Sequence, residues 1–240
     1  MRNAASFLVT GFEPFAGDSE NPSRLLLDWI RSDSDLNAFF ETELLPVVFA
    51  EAPQKVLKRK DLERFIGIIH FGLAAGRTKV SLERVGLNWI ETSIADNSGA
   101  FPKAGVIDPQ AEKVYFTRAP LEKIKTALQD QHLPVEISLS AGGYVCNYLY
   151  FEMLKSQLKP WVLFIHVPYL DEQVKGKNPE PFSLRKEQFL SLLTTLKETL
   201  EKETLAMHPS ELSDQCFSEE PVGRRDRTQE SRSEHSRHFQ

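Results

Sequence analysis

Residues 66–73 read IGIIHFGL, an apolar run that is broken only by His70. Such a run without polar alternation is typical of a strand that is buried on both faces, as in the centre of a parallel sheet. Residues 6–11 (SFLVTG) and 161–167 (WVLFIHV) have the same character and predict two more buried strands. The central run therefore predicts a sheet whose two faces are both covered.

Helical patterns separate these strands. Asn21-Pro22 predicts a helix start, because Asn is a good N-cap and Pro suits the first helical position. Further helices are predicted over residues 50–65, from Pro120 onward, and over residues 144–158 and 189–205; further strands are predicted over residues 42–49 and 135–139. Pro46 favours an edge position for the strand over 42–49. The alternation predicts an α/β fold, a three-layer α/β/α sandwich around a mostly parallel, twisted sheet.

The composition excludes several classes of protein. The chain has 240 residues, 41% of them hydrophobic, and a net charge of −5, which argues against a nucleic-acid or membrane-surface binder. Its two cysteines, Cys146 and Cys216, exclude a disulfide scaffold and a cysteine-based zinc site. Residues 207–240 are rich in Ser, Glu and Arg and predict a disordered tail. The expected single domain spans residues 1–206, in a reducing compartment.

Cys146 lies where an α/β sheet usually carries its chemistry. Residues 138–154 (SLSAGGYVCNYLYFEML) predict a strand, a glycine turn and a helix with Cys146 in its first turn. Ligands bind outside the carboxyl ends of the strands in such sheets. Free backbone N–H groups and the helix dipole favour a thiolate at this place. The alternative is a small core residue, as free cysteines often are.

A nucleophilic cysteine needs a base and a group that orients the base. His70 and His166 both lie near predicted strand ends, and spacing does not choose between them. Glu83 lies in the alternating segment VSLERV, residues 80–85. It could face a cleft, be a solvated strand residue, or pair with Arg84.

Two loops allow more than one interpretation. Phe12 and Phe15 follow the first strand and could be core residues or an aromatic wall for a flat, neutral ligand. Residues 72–77 (GLAAGR) superficially suggest a phosphate loop, but they lack the Lys-Ser/Thr of a Walker sequence. A nucleoside- or phosphate-handling α/β enzyme therefore has only the glycine turns in its favour.

The chain resembles pyroglutamyl peptidase I, a family of intracellular cysteine peptidases. The resemblance extends in family order across the body of the chain. The matching segments are LVTGFEPFAGDSENPS (8–23), LPVVF (45–49), HFGLAAGRTKVSLERVGLN (70–88), ADNSG (95–99), SLSAGGYVCNYLYFEML (138–154) and FIHVPYLDEQ (164–173). The resemblance implies a triad of Cys146, His166 and Glu83 that hydrolyses the bond after an N-terminal pyroglutamyl residue through a thioester.

The same resemblance implies a binding site for the lactam ring of pyroglutamate. This ring is neutral and has no ammonium group, so apolar walls with a few donors and acceptors suit it. The implied substrate-binding residues are Phe12, Phe15, Asn21, Tyr144 and Val145. No metal or cofactor is expected, and the implied protein is cytoplasmic and a homo-oligomer, a tetramer in the family pattern.

The chain departs from the family pattern at two positions near the implied site. Leu73 stands where many microbial members have Gln, and Ser93 aligns where many have Arg. These departures motivate an alternative function, a catalytically weakened relative that acts as a binding or regulatory protein.

Overall fold

The computed structural model describes residues 7–207, which form ten strands and seven α-helices. The strands are β1 (Phe7–Phe12), β2 (Phe40–Leu45), β3 (Gly67–Leu73), β4 (Val80–Glu83), β5 (Val85–Leu87), β6 (Val114–Phe116), β7 (Val135–Ser138), β8 (Trp161–Val167), β9 (Tyr169–Leu170) and β10 (Ser183–Leu184). The helices are α1 (Pro22–Ser32), α2 (Ser34–Phe39), α3 (Glu51–Leu57), α4 (Leu121–Asp130), α5 (Val145–Ser156), α6 (Asp171–Val174) and α7 (Lys186–Ala206).

Six strands form the central sheet in the order β2-β1-β3-β8-β4-β7. Strand β3, the apolar run at the centre of the sequence, pairs in parallel with β1 on one side and with β8 on the other. The exception to parallel pairing is β4, which is antiparallel to β8 and parallel to β7. The predicted mostly parallel α/β sheet is confirmed.

The two faces of the sheet bury separate hydrophobic clusters. One cluster joins the sheet to α1, α4 and α7, with Leu26, Ile124 and Leu192 fully buried. The other joins it to α3 and α5, with Ala52 and Leu149 fully buried. Helices therefore cover both faces, which makes the three predicted layers.

Two predicted elements are longer than the observed ones. The strand predicted over residues 42–49 is β2, which ends at Leu45 because Pro46 has no N–H for the ladder. It is an edge strand, as Pro46 indicates. The helix predicted over residues 50–65 is α3 followed by a short 3₁₀ helix, Leu62–Arg64. Arg59 lies between these two helices, and its side chain forms salt bridges with Glu41 and Glu43 of β2.

The predicted tail over residues 207–240, including Cys216, lies outside the described residues except for Met207. Met207 packs against the first hydrophobic cluster at the end of α7. The domain boundary at residue 206 stays a prediction. Within residues 7–207, none of the helices has the length and apolar character that crossing a membrane requires.

Candidate active site

Cys146 lies in the first turn of α5, directly above β3. A Cβ atom added to Gly72 would lie 3.1 Å from Cys146 Sγ, so the thiol occupies the space over this glycine. Gly72 is paired with His166 of β8 in the parallel ladder. Paired residues of neighbouring strands project from the same face of a sheet, about 4.8 Å apart. The fold therefore brings the thiol and the imidazole of His166 side by side.

His166 contacts Glu83 across the next strand pair. The Nδ1 atom of His166 lies 2.7 Å from Glu83 Oε1, and both side chains are almost inaccessible, with 3% and 0% of the residue surface exposed. Because an ionised carboxylate only accepts hydrogen bonds, Nδ1 carries the proton and donates to Oε1. This leaves Nε2 of His166 as the basic nitrogen.

The environment of Glu83 differs from two of the sequence interpretations. Glu83 is not a solvated strand residue, because its side chain is fully buried. It does not pair with Arg84, which instead forms an exposed salt bridge with Glu122. Arg77 pairs with Glu83 instead: its Nη1 donates to Oε1 at 2.5 Å. Glu83 therefore faces His166 and Arg77 inside the fold.

His70 lies on the same face of β3 as Gly72 but has a different partner. Its Nδ1 atom is 2.7 Å from the hydroxyl of Thr10, and the residue is completely buried. Burial lowers the pKa of His70 to about 3, so this imidazole is neutral throughout the neutral range. His166, and not His70, is the histidine that contacts a carboxylate.

The thiol of Cys146 is less acidic than its place on a helix suggests. Burial raises the pKa of Cys146 to about 12, and the negative charge of Glu83 adds to this increase. The positive charge of Arg77 and the N–H of Cys146 itself act in the opposite direction and lower the pKa. Desolvation thus opposes the thiolate that the helix N-terminus favours, and the state of the resting thiol stays a prediction. Ionisation must accompany proton transfer to a base.

Burial acts on His166 as well. It lowers the pKa of His166, and Glu83 partly opposes this effect by stabilising the imidazolium. Arg77 lowers the pKa further through its positive charge. His166 is therefore neutral at neutral pH, which is the state that a base requires.

The residues predicted to bind substrate lie in two different environments, partly exposed and buried. Phe15 and Tyr144 pack together beside the start of α5, with ring centroids 6.0 Å apart, and both are partly exposed. Phe12 and Val145 are buried, and Phe12 packs on Phe164. Phe15 and Tyr144 are the pair that a ligand can reach.

Asn21 has the capping role that the sequence predicts. Its Oδ1 accepts hydrogen bonds from the N–H and the hydroxyl of Ser23, and its Nδ2 donates to the backbone oxygen of Glu13. These bonds tie helix α1 to the loop that carries Phe15. A direct role in substrate binding stays a prediction.

Sequence reasoning missed Arg77 and Gly72. Both belong to the segment GLAAGR, which suggests a phosphate loop by its glycines and lies within the family-like segment 70–88. One signal was available: a carboxylate that is to work in a buried site needs a cation, and Arg77 is on the loop that enters the strand of Glu83. For Gly72 no local signal existed, because its constraint comes from α5.

Known proteins share both the sequence pattern and the fold. A profile of the pyroglutamyl peptidase family matches residues 5–203. The chain belongs to this family. Among its relatives, the pyrrolidone-carboxylate peptidase of Pyrococcus furiosus is 40% identical over 177 residues, 71% of this chain and 84% of the relative. That of Lactobacillus acidophilus is 35% identical over 177 residues, 72% of this chain and 88% of the relative.

Solved structures agree with the family. The pyrrolidone carboxyl peptidase of Thermococcus litoralis superimposes with a TM-score of 0.76 at 30% identity, over 85% of this chain and 97% of that one. That of Fervidobacterium islandicum gives a TM-score of 0.73 at 27% identity, over 85% and 99%. The comparisons confirm the family and the enzyme class, a cysteine-type hydrolase of pyroglutamyl peptides, and do not support the alternative of a binding protein.

Proposed function

We propose that this chain removes N-terminal pyroglutamate from peptides, with Cys146 as nucleophile, His166 as base and Glu83 as the group that orients the base. The observation that carries these roles is one row of side chains at the end of the sheet. Cys146 Sγ lies over Gly72, Gly72 pairs with His166, and His166 Nδ1 is 2.7 Å from Glu83. This order of thiol, imidazole and carboxylate suits acyl transfer.

In the first half of the reaction, His166 Nε2 takes the proton of Cys146 as Sγ attacks the carbonyl carbon of the pyroglutamyl residue. The high pKa of the buried thiol favours this coupled transfer over a thiolate that is present beforehand. The backbone N–H of Cys146 is a donor for the oxyanion that forms. Imidazolium then protonates the leaving amine, the C–N bond breaks, and a thioester remains.

In the second half, His166 takes a proton from water, which attacks the thioester carbonyl. The C–S bond breaks, free pyroglutamate leaves, and the proton returns to Cys146 Sγ. Glu83 accepts the hydrogen bond from Nδ1 throughout and stabilises each imidazolium state. No redox partner or metal ion is needed to balance either half.

We assign the lactam ring to the space beside Phe15 and Tyr144. Two aromatic rings with one exposed side suit a flat ring without charge. Phe12 and Val145 form the buried floor below them, and Asn21 holds the loop that carries Phe15. The neutral lactam loses less hydration on entering this space than an ammonium group would, which favours pyroglutamyl peptides over peptides with a free N-terminus.

The decisive experiment is hydrolysis of pyroglutamyl-aminomethylcoumarin with a reducing thiol present. Wild type should be active, and Cys146→Ala should lose at least 10³-fold in kcat, because the nucleophile is absent. Cys216→Ala is the matched control, since it removes the only other cysteine of the chain, and it should keep full activity. Equal activity in wild type and Cys146→Ala would remove Cys146 from the mechanism. An inactive wild type with an intact fold would instead favour the binding-protein alternative.

The compartment and the assembly belong to the same proposal. A nucleophilic thiol works only when it is reduced, which supports the cytoplasm as its location. The family resemblance supports a homo-oligomer, a tetramer. Light scattering on a gel-filtration column measures the mass of the assembly directly, and a monomer of 27.3 kDa would contradict this part.

A further inference from the structure

The carboxylate of Glu83 serves two donors on one oxygen atom. Oε1 accepts from His166 Nδ1 at 2.7 Å and from Arg77 Nη1 at 2.5 Å, and the side chain is completely buried. A buried carboxylate without a cation carries an uncompensated charge, which destabilises the fold. Within residues 7–207, Arg77 is the only Arg or Lys that forms a salt bridge with Glu83. The guanidinium therefore compensates the charge of the carboxylate that accepts from His166.

The same guanidinium contacts the turn in front of the nucleophile. Arg77 Nη2 donates to the backbone oxygen of Ser140 at 2.6 Å. Ser140 begins the turn that continues through Gly142 and Gly143 into α5 and Cys146. One planar guanidinium thus links Glu83, at the end of β4, to the turn that precedes the nucleophile's helix. It does so through two different nitrogen atoms, Nη1 and Nη2. A lysine has a single ammonium group and does not supply two donors in this fixed geometry.

The positive charge of Arg77 also suits both reacting groups. It lowers the pKa of Cys146 against the larger effect of burial, and it lowers the pKa of His166 in the same direction as burial. A cation in this position therefore favours the neutral form of His166 and the ionised form of Cys146. It acts on the catalytic pair through its charge and through Glu83.

We propose that Arg77 is a positioning residue for pyroglutamyl hydrolysis, which holds the Glu83 carboxylate in place behind His166 and fixes the Ser140 turn that leads to Cys146. This role rests on the proposed function of the site. It also explains the arginine at the end of the segment GLAAGR, which resembles a phosphate loop. Arg77 binds the carboxylate of Glu83 and not a phosphate group.

The test compares Arg77→Gln and Arg77→Lys with Arg84→Gln. Arg84 is the matched control, because it is the next arginine along the chain and its salt bridge with Glu122 lies on the surface. We expect Arg77→Gln to lower kcat about 10²-fold with KM changed less than threefold, as for lost orientation of a general base. Arg77→Lys should recover part of this loss, and Arg84→Gln should match wild type.

The pH profile separates a positioning role from a general structural one. Without the cation, the imidazolium of His166 is less disfavoured, so the acid limb of kcat/KM should move to higher pH, by about one unit. If Arg77→Gln does not fold, Arg77→Lys carries the test, because it keeps the charge and loses the second donor. Wild-type kcat or an unshifted acid limb in Arg77→Gln would overturn the proposal, and so would wild-type kcat in Arg77→Lys.

A second readout does not need peptidase activity. In a Cys216→Ala background, the rate of alkylation by iodoacetamide reports the ionisation of Cys146 alone. We expect slower alkylation at pH 7 for Arg77→Gln than for wild type, and an unchanged rate for Arg84→Gln. An inactive wild type would refute the proposed function, whereas equal alkylation rates would refute the role of Arg77.

Discussion

Gly72 owes its identity to the side chains that lie over it. A Cβ atom at this position would lie 2.9 Å from Cζ of the Phe164 ring and 3.1 Å from Cys146 Sγ. Phe164 is fully buried between His166 and Tyr150 and has no free direction in which to move. The glycine therefore makes room for the nucleophile, and this requirement comes from packing rather than from a turn.

Gly72→Ala should consequently lower kcat/KM about 10²-fold, because displacing a reacting group by about 1 Å has an effect of this size. The assay with the coumarin substrate measures it. Gly76→Ala is the matched control in the same segment, since a Cβ atom there meets nothing within 4 Å. Wild-type activity in Gly72→Ala would mean that Sγ does not lie over this residue.

Helix α1 positions the aromatic loop of the site through its cap. Pro22 starts the helix, Asn21 caps it by accepting from the N–H of Ser23, and the same amide donates to the backbone oxygen of Glu13. The loop that carries Phe15 leaves from Glu13. The order of the helix and the place of the aromatic ring therefore depend on one buried side chain.

Replacement of Asn21 should separate these two effects. Asn21→Ala removes both and should lower the free energy of unfolding by about 1–2 kcal/mol. Asn21→Ser keeps a capping oxygen but has no amide that reaches Glu13, so we expect stability closer to wild type and a raised KM. Urea unfolding and substrate titration measure the two quantities. A KM equal to wild type in Asn21→Ser would contradict the link between the cap and the Phe15 loop.

Short connections also decide the direction of β4. Only six residues (74–79) join β3 to β4, whereas a parallel crossover needs a dozen or more. Strand β4 therefore returns antiparallel, but it pairs with β8 and not with β3. This arrangement puts Glu83 next to His166. The reversed direction was readable from the sequence, and the partner strand was not.

The stability of the whole molecule depends on pH through His70. Its pKa is about 6.5 in an unfolded chain and is lowered to about 3 in the folded protein by burial. Between these values the unfolded state binds one proton more than the folded state. Stability is therefore lost as the pH falls below 6.5, by at most about 1.4 kcal/mol per pH unit from this group.

His70→Gln removes this titration and keeps an amide that can bind Thr10. Between pH 7.5 and pH 5, we expect the variant to lose less stability than wild type, by up to about 2 kcal/mol, as measured by urea unfolding. His132→Asn, which changes an exposed histidine, should follow wild type. Parallel curves for His70→Gln and wild type would contradict a neutral, buried His70.

The sequence by itself determined the class of the fold and the family. Apolar runs and helical periods are local properties, so they predicted the strands and the helices between them, and the motif around Cys146 carried the chemistry. The tertiary structure decided which groups work together. It placed His166 Nδ1 on Glu83, as the family resemblance implies, placed Arg77 on the same carboxylate, and desolvated the thiol so that its pKa rises. The contact of His166 with Glu83 joins residues far apart in the chain, and the energies of all these contacts depend on strand order and burial, which no local pattern encodes.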